Sequence, residues 1–153
     1  MLNTQRARIT KRQEEILEYI LEPIRHYPYP ERSLEEPPAT EAIQADARDA
    51  LIEVSIRIQK SVAELEKYHR IIQATTPTRF GQPRLFQPGS NAYKYRYYMY
   101  DLYKALQKKD WHWACRRLQQ VVELYRNCAL QSAITIHKML EDTLCTSNST
   151  KKR

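Results

Sequence analysis

The side chains of this chain that could do chemistry are cations and aromatic rings gathered in its second half. Tyr93, Tyr97 and Tyr100 recur at steps of 4 and 3, with Lys94, Arg96 and Lys104 among them. On a helix that spacing sets the rings along one face. Arg79 and Arg84 precede this run; Lys108, Lys109, Arg116, Arg117 and Arg126 follow it. Cations at this density can contact phosphates, and exposed rings can stack on bases whatever their sequence. These residues are expected to form one basic, aromatic nucleic-acid-binding face. Tyr, Trp and Arg also dominate protein interfaces, so the same surface could dock a protein.

Enzyme chemistry asks for other constellations. The four histidines are scattered, and His112 three residues from Cys115 is one pair where a structural zinc wants four ligands. The helical stretches offer no Glu-x-x-His set of the di-iron kind, and there is no Gly-rich phosphate loop. The three cysteines are odd in number and lack CxxC spacing, so they read as core or rim side chains rather than a disulfide framework. No catalytic residue, metal or cofactor is expected, and the protein reads as a non-enzyme.

Charge is divided unevenly along the chain. Residues 1–30 carry five Lys/Arg against four Asp/Glu, residues 31–76 six against nine, and residues 77–153 fourteen against five. A basic half beside an acidic one suits an acidic partner. At 153 residues the chain is long enough for one domain with a core of its own. Residues 1–144 are expected to form that domain and residues 145–153 a disordered basic tail. No run is apolar enough to span a bilayer and no leader resembles a signal peptide, so no membrane role and a cytoplasmic location are expected.

The elements that must position the rings read as helices. Two glycines and eight prolines read as a helix-rich chain, since a β-rich domain of this size normally uses more Gly in its turns. Thr10 and Gln13 fit a capping box ahead of the stripe Ile16, Ile20 and Ile24, with Pro23 at its end. After a Pro-rich connector over 26–39, Thr40 caps the clearest helix. In it Ile43, Ala47, Leu51, Val54, Ile58, Val62, Leu65, His69 and Ile72 follow a near-heptad seam. A loop over 75–89 leads to Ser90 as a helix cap, and the stripe Ala92, Tyr95, Met99, Leu102 and Leu106 follows. Lys108-Lys109-Asp110 reads as a turn, Asp110 capping a last helix predicted to run unbroken to Thr143 through Ala114, Leu118, Val121, Tyr125, Cys128, Ser132, Ile136 and Met139.

Two short likenesses stand out. Ile9-Thr10-Lys11-Arg12-Gln13 with Glu15-Ile16-Leu17 is similar to the opening of winged-helix repressors of the LexA type, but after Pro28 and Pro30 no recognition helix or β wing follows. The stretch from Ala105 to Ala114 resembles one tetratricopeptide hairpin, without a second copy at a fixed period. The expectation is therefore an all-α, antiparallel bundle of four principal helices, two of them long, with Pro-rich connectors. The expected function is a non-enzymatic accessory subunit that binds RNA or single-stranded DNA within a larger nucleoprotein complex. Small basic helical subunits of CRISPR effector complexes, and accessory proteins of diversity-generating reverse transcriptases, are similar in size, charge and architecture. The alternative is a protein–protein adaptor or homo-oligomeric scaffold using the Tyr/Trp/Arg surface around Trp111 and Trp113.

Overall fold

The computed structural model describes residues 2–30, 37, 39–75, 91–126 and 129–145. Among the described residues the chain is helical throughout its regular elements, with no strand. Helix α1 runs Leu2–Leu21 and passes into a 3-10 turn at Glu22–Ile24. Pro23 lies inside that turn, where its missing N–H and fixed φ stop the α-helix. Thr10 does not cap α1: the helix already runs through it from Leu2, so the predicted start at Lys11 is nine residues late. The stripe beyond it holds, with Ile16, Leu17, Ile20, Leu21 and Ile24 all buried.

Helix α2, Glu41–Thr75, begins as its sequence predicts, with the Thr40 hydroxyl accepting from the Ile43 N–H at 3.3 Å. Its 35 residues make a rod of roughly 50 Å at about 1.5 Å per residue. The seam residues Ala47, Leu51, Val54, Ile58 and Leu65 are buried, whereas Ile43 at the N-terminal end stays exposed and His69 is half-buried. Around this rod α1, α4 (Trp111–Leu124) and α5 (Ala129–Leu140) are packed, and a π-helical turn at Glu141–Cys145 continues α5. Helix α3, Asn91–Gln107, packs chiefly against α4. Met99, Leu102, Ala105 and Leu106 form its buried side, so its predicted stripe is correct where it is described.

The single long helix expected from Asp110 to Thr143 is two helices. Leu124 ends α4, and Tyr125 at φ −115°, ψ 36° leaves helical geometry. Buried positions nevertheless keep their phase on both sides of the break, Leu118 and Val121 before it, Ser132 and Ile136 after it. The apolar pattern therefore conceals the interruption. Two ties hold this corner: the Tyr125 ring lies 4.2 Å from that of Tyr95, and Arg126 reaches Glu14 and Glu18 of α1. Cys115 is buried in the core, its thiol donating to the Ala47 carbonyl at 3.4 Å. Burial pushes that thiol well above its usual pKa, so it stays neutral and inert. A void of about 10 Å³ between Leu17, Leu118 and Ile136 is the size of one water at most.

Candidate functional site

The site is built on the hairpin of α3 and α4. Lys109 adopts a left-handed conformation at φ 61°, and the turn closes with the Asp110 N–H on the Ala105 carbonyl at 2.9 Å and the Lys109 N–H on the Leu106 carbonyl at 3.1 Å. This pair of bonds is a Schellman motif, in which glycine is the usual left-handed residue. Asp110 then caps α4, accepting from the Trp113 N–H at 3.2 Å, and its carboxylate also accepts from Gln44 of α2 at 3.0 Å.

On α3 the face opposite the core carries the rings. Tyr93, Tyr97 and Tyr100 are 75%, 42% and 60% exposed, and Tyr103, absent from the sequence-derived set, is 47% exposed. Lys94, Arg96, Lys104, Lys108 and Lys109 are also exposed. The Lys104 ammonium stands 5.2 Å over the Tyr100 ring. The sole acid of α3, Asp101, turns away from this face toward α4. Tyr103 follows Arg96 by two turns, and that spacing was the available signal for it.

The arginines of the expected face divide differently. Arg116 and Arg117 are 7% and 1% exposed, so they belong to the interior, not to an open basic surface. Arg117 Nε donates to Asp101 at 2.7 Å and its Nη1 to Gln120 at 2.5 Å. Asp101 Oδ2 also accepts from the Trp113 indole at 2.6 Å. The guanidinium of Arg117 lies 4.6 Å from the Tyr98 ring and 5.6 Å from that of Trp113. Arg116 stacks 4.9 Å over Trp113 and donates to the Pro28 carbonyl at 3.0 Å. Arg126 is drawn into ion pairs with Glu14 at 3.2 Å, Glu18 at 2.7 Å and Glu123 at 3.0 Å. In the same cluster, hydrogen bonding from Arg25 first, and from Arg126 as well, holds the Glu18 carboxyl below its usual range. The reason is packing: α4 meets α2 on one side and α3 on the other, so little of its circumference is left for free charges.

The tryptophan surface of the adaptor reading is likewise reduced, since Trp111 is buried and Trp113 half-buried. Tyr27 is buried with its hydroxyl donating to Asp46 at 2.9 Å, while Tyr29 is exposed. Arg79, Arg84 and the Ser90 cap lie outside the described residues, as do residues 146–153 of the expected tail. A shallow cleft of about 420 Å³ lies elsewhere, beside His26, Tyr27, Asp46 and His112. Among the described residues no group of three or more His, Cys, Asp or Glu could hold a metal ion, and no helix is long and apolar enough to cross a membrane. No family model matches the chain, and neither a curated protein nor a solved structure matches it.

Proposed function

We propose that the protein is a non-enzymatic binder of RNA or single-stranded DNA, an accessory subunit of a larger nucleoprotein assembly presenting its binding face on an antiparallel helical bundle. One observation carries the reading: Tyr93, Tyr97 and Tyr100 stand exposed along one face of α3 beside Arg96 and Lys104, while Asp101 faces elsewhere. Rings one turn apart offer successive stacking platforms, and flanking cations reach the phosphates between them. Other protein subunits of the assembly would dock on remaining surface, or copies of this chain would associate with one another.

Labelled single-stranded RNA and its DNA equivalent, titrated across salt, test the proposal. Three phosphate contacts at about −0.7 each predict a slope of about −2 in log K against log salt. Replacing Lys94, Arg96 and Lys104 together by Gln should flatten that slope, and Tyr93→Ala should cost about 1–3 kcal/mol of binding. No binding of either strand at low salt sinks the proposal. A specific observation favours a second reading, docking of a protein: Arg116 and Arg126 are engaged internally and Arg117 is buried, which leaves fewer open cations for phosphate than the composition promised. A tight partner whose affinity is insensitive to salt would select that reading.

A further inference from the structure

Beneath the tyrosine face lies a buried donor without a partner. Arg117 is 1% exposed, yet its Nη2 has no hydrogen-bond partner. Its Nε and Nη1 are satisfied by Asp101 and Gln120, and Asp101 Oδ2 is shared with the Trp113 indole. The rings of Tyr98 and Trp113 steady the charge by their π faces but do not supply an in-plane acceptor. A buried donor without a partner is costly, more so on a charged group, and such an atom in a native fold calls for an acceptor.

We infer that Nη2 of Arg117 is the donor for a phosphate group, admitted when the Tyr97 ring swings aside. Three rings surround the guanidinium, Tyr98 at 4.6 Å, Trp113 at 5.6 Å and Tyr97 at 5.7 Å, and of these only Tyr97 is exposed, at 42%, so it is the ring freest to move. Exposed side chains change rotamer within nanoseconds. The planar guanidinium fork suits phosphate. Arg116 on the Trp113 ring, and Lys94 one turn before Tyr97 and Tyr98, tip the local balance positive against Asp101. A tetrahedral phosphate can turn one oxygen to Nη2 and leave the others toward solvent, away from that carboxylate. The natural ligand, a backbone phosphate of a strand lying across the tyrosines, rests on the nucleic-acid reading; the donor itself does not.

The test uses the full chain carrying Trp111→Phe, so that Trp113 is its single tryptophan, titrated with inorganic phosphate and with acetate at matched ionic strength. Expected are a saturable change in Trp113 fluorescence and a rise in Tm with phosphate alone. Tyr97→Ala should tighten the apparent affinity, because a closed cover lowers it by the fraction of time the site is shut. Arg117→Lys keeps the charge but loses Nη2, and should weaken phosphate binding by about tenfold in a variant whose circular dichroism is unchanged. The inference is overturned if acetate acts as well as phosphate, if the folded Lys variant responds like the parent, or if neither the parent nor Tyr97→Ala responds. Phosphate binding without oligonucleotide binding would leave this site standing and remove only the nucleic-acid reading.

Discussion

The outer side of α3 and the inner side of α4 carry the same kinds of side chain and use them in opposite ways. On α3, Arg96 and Lys104 stand in solvent beside exposed tyrosines. On α4, Arg116 and Arg117 are buried against Trp113, Tyr98 and Asp101. The difference lies in the number of packed neighbours each helix has. A helix with one principal neighbour keeps a wide solvent face for binding, whereas a helix wedged between two must satisfy its charges internally. Basic composition alone therefore does not measure a binding surface.

The sharpest way to break this contrast is to remove partners on each side. Asp101→Ala strands the buried Arg117 charge and should destabilise the fold by about 3–5 kcal/mol, whereas Arg96→Gln should stay within about 0.5 kcal/mol. Urea unfolding of both variants, with unchanged m, measures the gap. Equal losses would mean that α4's arginine is no more structural than α3's. Replacing the pair together, Asp101→Leu with Arg117→Met, should restore most of the loss, since apolar substitutes leave no buried charge unpaired.

A smaller effect is expected at the joint between the two helices. Lys109→Gly relieves a left-handed residue and should add about 1 kcal/mol, while removing one exposed cation from the end of α3. A loss of stability there would show that the Lys109 side chain has a structural role.

The pH dependence sharpens the same division. Tyr27 is held above its usual pKa by burial first and then by donation to Asp46. Its contribution is thus complete below about pH 10, the unfolded value, and is lost as pH rises toward the folded one. An alkaline decline in Tm beginning near there should be reduced in Tyr27→Phe. Glu18 runs the other way: its depressed pKa contributes stability above the unfolded value near 4.5, lost as pH falls through the lower folded one. Glu18→Gln should flatten that acid limb slightly, since the pair is largely exposed.

Much of the fold was legible because α2 and α3 each bury one regular stripe, and a stripe of period near 3.6 is visible in a linear sequence. Thr40 and Asp110 were legible as caps for a similarly local reason. The break at Tyr125 was not, because no Gly or Pro marks it and the apolar phase resumes beyond it. What the chain meets there is tertiary: Arg126 pairs with Glu14 of α1, and the Tyr125 ring lies against Tyr95. The start of α1 was misplaced because a capping-box pattern at Thr10 also occurs inside a helix. In the candidate site the exposed tyrosines were readable from spacing, while the fate of Arg117 was not. One clue existed: Asp101 is the lone acid of α3 and needed a partner on a facing helix.

The arrangement around α2 also distributes resistance to local opening. Helices α1, α4 and α5 share that rod, so exposing the backbone amides of any one of them disturbs a common core. Helix α3 rests chiefly on α4, and its amides can meet solvent through a smaller, sub-global opening. In hydrogen exchange α3 should therefore exchange ahead of the Leu51–Ile58 stretch of α2. The surface that carries the tyrosines is then also the part of the protein that a bound partner could protect most.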